Sequence, residues 1–434
     1  MLINVSMANN PGLVAVVRRE IIDRVRDKYF VTAFQTFGHQ EIPDVSAGDM
    51  QISQIKADLV NSDPADLITS FRGDINAVGV DLKETYMDVN VHWHYKSGIL
   101  SFSGTARVRT NFHDLGMNIV MTKVDDGQFA IPQINVQDMN VNMDRGSFNL
   151  DLHCSGCPGF VEDIIRDILK GKLMDTVQNS IRDQVPQQAN SIGNEILRNS
   201  YPRTFNLYDN IDLATALTSN ILVKDDHLEV PLDATFFPKN QGYSRPSDAP
   251  EMPHYNPTDP GEMMMFFSSY LVDTLSTTIH SEIQTYDFTI LGIQFQASLD
   301  PEAGDTDLYF EDGDFIVEAH PKIVSPFWQM GLHLGGSAKL SPSISSGDAQ
   351  NMLSVTPTVK ELKLDELRIV TPGDIYELDS ISSYFNLFVQ SFLNYFVIPV
   401  IPVPKLEVLP LTMKNSELDF HKAYSELGLL FEFS

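Results

Sequence analysis

Near the start of the chain, apolar residues recur every three or four positions: Val14, Val17, Ile21, Val25 and Tyr29 alternate with Arg18, Arg19, Asp23, Arg26 and Asp27. That spacing predicts an amphipathic helix opening behind Pro11 and Gly12 and stopping near Phe37 and Gly38, since proline suits a helix start and glycine a helix end. From Ile42 to about Leu152 the period falls to two, as in VDLKETYMDVNVHWHY and ILSFSGTARVRTNF, with turn signals at Lys96-Ser97-Gly98 and Asp125-Asp126-Gly127. Alternation of this kind predicts a bent antiparallel sheet. Helical spacing returns after Pro158 through Phe160, Ile164, Ile168, Val177 and Ile181, is interrupted at Pro186, and resumes with Ile192 and Ile196.

Residues 221–237 read as further strand. Pro238, Pro246, Pro250, Pro253, Pro257 and Pro260 follow, too dense for a helix or a ladder, and predict a semi-extended linker. The same grammar then repeats. MMMFFSSYLVDTLSTTIH predicts a helix with Phe267, Tyr270, Leu271, Thr274 and Ile279 on one broad face, strands run to about residue 370, and Ile381, Phe385, Phe388, Phe392 and Phe396 predict a second long helix. At 434 residues the chain exceeds the size of a single core. It divides into a unit at 1–220, a central strand and proline-rich linker at 221–262, and a second unit at 263–434.

Charge narrows the partners. A net charge of −28 opposes phosphate backbones and anionic membrane surfaces, so nucleic acid and lipopolysaccharide are disfavoured. Glu302, Asp305, Asp307, Glu311, Asp312, Asp314 and Glu318 form a stretch without Lys or Arg. It lacks the glycine and closing glutamate spacing of a twelve-residue calcium loop, and reads instead as a solvated hairpin turning at Asp312-Gly313. No apolar run reaches the ~20 residues of a membrane span; the best, Phe385 to Pro404, is broken by Pro399 and Pro402. The opening MLINVSM is too short for a signal peptide and lacks its basic region.

Candidate chemistry is sparse. The sequence holds no G-x-S-x-G, no H-E-x-x-H, no P-loop and no dinucleotide fingerprint, so neither a catalytic residue nor a cofactor is expected. His92 and His94, two apart on a strand, face one side and offer either a metal pair or a solvated strand tip; the tip is the reading adopted, with no metal assigned. Cys154 and Cys157 are the only cysteines. A C-x-x-C can be a redox pair, half of a zinc site or a disulfide element. A redox role would want a βαβ unit, whereas the flanking strands read as antiparallel.

Several short motifs follow one another along the chain. Asn10-Pro11-Gly12 and Ile42-Pro43-Asp44 bracket the first helix, Phe102-Ser103-Gly104 lies in a strand pair, Cys154-Ser155-Gly156-Cys157 precedes a long helix, the proline linker follows, and Asn394-Tyr395 leads into Ile398-Pro399. Their order resembles the bactericidal/permeability-increasing protein family with its lipopolysaccharide-binding and lipid-transfer relatives. The resemblance implies an α+β fold: an elongated boomerang of two barrel-like units, each a curved antiparallel sheet wrapped against long helices, with a central sheet between them. It implies an extracellular lipid-binding or lipid-transfer protein holding phospholipid-like acyl chains in two apolar pockets. One pocket is expected among Val17, Ile21, Val25, Ile164 and Ile168, the other beside Phe267, Tyr270, Phe385 and Phe392. The second cysteine of the motif is commonly bonded in the family to one near the end of the next helix, but here that region reads DQVPQQAN. Cys154 and Cys157 are then either two thiols or a local disulfide. The segment matching a basic tip hairpin, VHWHYKSGIL, has Lys96 as its only lysine, so endotoxin binding is not carried over. A structural, storage or secretory-matrix protein keeping the fold without transport is the alternative.

Overall fold

The computed structural model describes residues 10–433 apart from 61–62, 209, 247–248, 254, 256–261, 283–284, 291–292, 300–306, 320, 326–327, 347–352, 372–373, 378–410 and 422–423. The fold is mixed α+β and mostly sheet. Its helices are α1 (Arg19–Phe37), α2 (Gly159–Ile168), α3 (Met174–Ser200) and α4 (Ser269–Glu282). Phe385 and Phe392 lie outside the described residues.

Both halves correct the periodicity in the same way. Leu13–Arg18 is a strand before α1, and Met263–Ser268 is a strand before α4. LVAVV and MMMFF are apolar on every side, and a short run of that kind suits a fully buried strand as well as it suits a helix. Pairing decides between them. The two strands lie side by side antiparallel, with Leu13 facing Phe267, Ala15 facing Met265 and Val17 facing Met263. The third residue of one strand thus faces the third of the other, so the repeated strand-helix unit is related to its copy by a local two-fold at Ala15 and Met265. Strands His227–Leu232 and Tyr424–Phe433 flank the pair, and Leu222–Val223 and Leu411–His421 complete a six-stranded central sheet. Gly12 allows this close approach: its N–H donates to the Leu232 and Asp233 carbonyls at 3.0 and 3.1 Å, and a Cβ there would clash with the Asp233 oxygen and lie 2.9 Å from the Tyr270 ring.

A nine-stranded sheet dominates the first half and is organised by one strand, Leu100–Asp126. At ~3.3 Å per residue this strand would span roughly 90 Å if straight. It bends instead, with register shifts at Phe112/Asp114 and Gly116/Asn118. Its first part pairs with Tyr86–Ser97 and Asn149–Cys154, its second with Ala77–Leu82 and Phe129–Met143.

Against this sheet lies a continuous helical rod, α2 and α3 joined by a π turn at Leu169–Leu173. Val161, Ile165, Leu169, Leu173, Val177 and Ile181 line its inner face with no exposed surface. Steps of four residues over-rotate an ideal helix by about 40° each, and the wider π turn takes up part of that drift, so one stripe stays on the sheet. Pro186 does not interrupt the rod as the sequence pattern predicts; α3 continues through it to Ser200.

The second half carries an eight-stranded sheet built around the hairpin Trp328–Ser346 and Leu353–Thr371. The acidic stretch folds as the expected hairpin, Asp307–Glu311 with Asp314–Ala319, turning at Asp312-Gly313. Phe310 packs 5.5 Å from Phe420 of the central sheet, ring centre to ring centre. None of the sheets described closes on itself.

Candidate functional site

A site for an apolar ligand needs apolar side chains that keep some accessible surface when nothing is bound. The innermost core between the rod and the nine-stranded sheet does not meet that condition, since Ile52, Val89 and Val108 on the sheet and the inner stripe of the rod are all wholly enclosed, but Phe102, Phe112, Phe148, Leu150 and Leu152 at its margin are half-buried. Trp93 is also buried there, seated over Gly104, where a Cβ would clash with the His153 carbonyl and press 2.7 Å against the indole. The Trp93 Nε1–H has no hydrogen-bond acceptor.

Half-buried apolar residues also gather around the central sheet. They include Val17, Ile22 and Val25 of the first strand-helix unit with Phe71 and Met121, Tyr201 and Phe205 beyond α3, and Leu271 and Ile279 of α4 with Phe315, Leu418 and Phe420. Polar groups edge the first of these sets. Arg19 donates from Nη2 to the Thr69 carbonyl at 2.8 Å and lies 5.7 Å over the Phe71 ring. The Asp23 carboxylate accepts from the Thr69 hydroxyl at 2.6 Å and from Arg26 at 3.1 Å. Arg24 Nη1 donates to Glu262 at 2.8 Å, which ties α1 to the start of the second half.

The junction between halves is held by a buried carboxylate. Asp233 accepts from the Thr235 and Tyr243 hydroxyls, with Arg245 Nε 3.7 Å away. Thr235 also meets the Tyr270 hydroxyl at 2.7 Å, and Arg245 lies 5.3 Å over the Tyr270 ring. Burial first, and the Asp233 charge after it, pushes both the Tyr243 and Tyr270 phenols up. Tyr243 is therefore a neutral donor, and the proline-rich segment that carries it is pinned to the central sheet.

The residues singled out from the sequence separate into two places. Val17, Ile21 and Val25 belong to the cluster at the central sheet, with Ile21 buried and the other two half-buried; Phe267 is buried in the same cluster. Ile168 is half-buried at the margin of the rod cluster, and Ile164 is half-buried too. The two groups are not brought together, because the rod is about 60 Å long at 1.5 Å per residue and Ile164 and Ile168 lie in its first turns. Tyr270 is buried at the junction, its hydroxyl engaged by Thr235. Ile22, Phe71 and Met121 were not legible as lining positions; the only signal was the alternation in LITSFR, which marks a strand but not what covers it.

Cys154 and Cys157 form a local disulfide with Cα atoms 5.7 Å apart. His92 and His94 lie on the exposed face of their strand, in register with Thr105 and Ser103. Among the described residues no group of three or more His, Cys, Asp or Glu is placed to hold a metal ion, and no helix is long and apolar enough to cross a membrane.

No family model and no curated protein matches the sequence. Among solved structures, the chain is similar to the crystal structure of lipopolysaccharide binding protein, with a TM-score of 0.54 and 12% identity over 98% of this chain and 99% of that one. P47 of Clostridium botulinum E1 aligns at a TM-score of 0.34 and 9% identity over 98% and 100% of the two chains. Takeout 1 of Epiphyas postvittana aligns at 0.21 and 13% over 39% and 86%. The last two scores carry no argument. The first shows a shared fold along the whole length, in line with the α+β architecture that the sequence resemblance implies.

Proposed function

We propose that this chain binds lipid, taking acyl chains against the half-buried apolar residues beside α1, with a second zone of like character beside α4. The observation that carries the reading is the set of partly exposed apolar side chains around the central sheet, edged by the polar groups of Arg19, Asp23 and Thr69, in a fold similar to that of lipopolysaccharide binding protein. Each methylene removed from water contributes ~0.8 kcal/mol, so a chain of a dozen carbons brings a gross gain on the order of 10 kcal/mol against the cost of ordering it. Phospholipid is the ligand proposed, head group at the polar edge formed by Arg19, Asp23 and Thr69. The units 1–220 and 263–434, an extracellular location and a non-catalytic role complete the proposal.

A second reading is favoured by the enclosed rod core: a structural or storage protein in which side chains fill the space a ligand would occupy. Native mass spectrometry of the purified chain separates the two. Adducts of lipid mass that disappear on organic extraction support binding. Val25→Trp then lowers bound lipid with the fold retained, whereas Ile21→Trp overpacks a buried site and costs roughly 1–3 kcal/mol. The bare polypeptide mass alone supports the structural reading.

A further inference from the structure

The hairpin of strands Tyr86–Ser97 and Leu100–Asp126 ends in a two-residue turn, Gly98-Ile99, closed by the pair Ser97 and Leu100. Ile99 is fully exposed at 101% and Leu100 is exposed at 45%. They are neighbours on one turn. One rung in from the closing pair but one, the half-buried rings of Tyr95 and Phe102 face each other across the strands, with exposed Lys96 opposite Ser101 between. The order from the end inward is thus two aliphatic side chains, one cation, then two aromatic rings.

Local charge is unlike that of the rest of the molecule. Between Asp88 and Asp114 the sequence has no Asp or Glu, although the chain holds 58 acidic residues and a net charge of −28. The same segment contains Lys96, His92, His94 and His113. Arg107 and Arg109 are held by Asp88 further along. Asp49 of the neighbouring strand turn, whose carbonyl accepts from Lys96 N–H at 2.8 Å, is an acidic residue set beside this end, and Lys96 stands next to it, so the hairpin end meets a surface with less repulsion than the remainder of the chain would bring.

Size decides what that surface is. A stable protein partner buries about 800 Å² per side, which two side chains at a turn cannot supply. A bilayer interface asks for less: aliphatic groups below the head groups, aromatic rings at their level, and a cation whose stem reaches back to water. We propose that this hairpin end is a membrane-docking element that inserts Ile99 and Leu100 into a phospholipid surface, with Tyr95 and Phe102 as its collar. The element is separate from lipid carriage and stands or falls without it.

The test uses the full chain and phosphatidylcholine vesicles. Sedimentation with vesicles is expected to carry down the wild type and to show at least a ten-fold weaker partition for Ile99→Asn/Leu100→Asn, with unchanged circular dichroism and melting temperature, since both side chains are exposed. Ile99→Trp is expected to shift its added emission to the blue when vesicles are added. A wild type that stays in the supernatant, a double variant that partitions as the wild type does, or an Ile99→Trp emission that remains that of an indole in water would each overturn the proposal. Lipid retained in the purified protein, measured by native mass spectrometry, reports on the carriage reading alone and is unaffected by these variants.

Discussion

The Asn194 carboxamide pairs with both backbone polar groups of Ile134, accepting from its N–H at 2.7 Å and donating to its carbonyl at 3.0 Å. A side chain of α3 thereby takes the place of a neighbouring strand along the edge of Phe129–Met143. The arrangement recurs every four residues of the helix. Asn190 accepts from Val136 N–H at 2.8 Å, Arg182 donates to the Val141 carbonyl at 3.2 Å, and Gln178 accepts from Met143 N–H at 3.4 Å. Pro186 occupies the middle rung, with no side-chain donor or acceptor, opposite the stretch where Asp138 takes a φ of 50° and the ladder slips register. Open strand edges invite association with other chains, and here the rod covers one.

Asn194→Ala leaves the Ile134 N–H and carbonyl without their partner, and the expected loss is about 1–3 kcal/mol. Urea unfolding measures it. Faster hydrogen exchange confined to Ile134 and its neighbours is the accompanying signature, and unchanged exchange there would show that the Ile134 N–H is protected without the Asn194 amide.

Gly104→Ala places a methyl group against the His153 carbonyl and the Trp93 indole. Because backbone stands on one side and a fully buried ring on the other, neither yields cheaply, and a loss of at least about 1–3 kcal/mol is expected. Thermal melting, with Trp93 fluorescence as the local probe, tests this.

The Cys154 to Cys157 disulfide closes a loop of only a few residues. Chain-entropy reasoning gives such a crosslink about 2 kcal/mol, so the double Cys→Ser variant is expected to melt only a few degrees lower. Calorimetry of the variant beside the reduced wild type checks it; failure to fold would make the bridge a true staple.

His227 is buried on the central sheet with Nδ1 2.6 Å from Asp226, Nε2 3.2 Å from Glu229, the Tyr255 ring edge-on at 4.6 Å, and Arg18 as its cross-strand neighbour. Burial works against the charged ring, but hydrogen bonds to Glu229 and Asp226 outweigh it, and the pKa is raised above 6.5. Two carboxylates on two ring nitrogens require both to be donors. Since the folded value lies above the unfolded one, this stabilisation is complete below about pH 6.5 and is lost as pH rises through the folded value. The melting temperature is expected to fall between pH 6 and pH 9, and His227→Gln to flatten that slope. Equal slopes would place the proton elsewhere.

Local order along the chain was set by residue pattern alone. Period-two alternation marked the strands from Ile42 to Leu152, Asp312-Gly313 marked a hairpin turn, and helical spacing after Pro158 marked the rod, though its buried face runs through Val161, Ile165 and Leu169 and leaves Phe160 exposed, because each element depends on neighbours a few residues apart. The tertiary structure decided what lies beyond that range. LVAVV and MMMFF became strands only because each supplies the other's hydrogen-bond ladder from far away in the chain. Pro186 was absorbed because a rod packed on a sheet along most of its length outweighs one missing hydrogen bond. Which apolar residues stay half-open was likewise decided in three dimensions: Ile165 and Ile22 are the same residue type on helices of the same kind, and only the surface each meets encloses one and leaves the other partly bare.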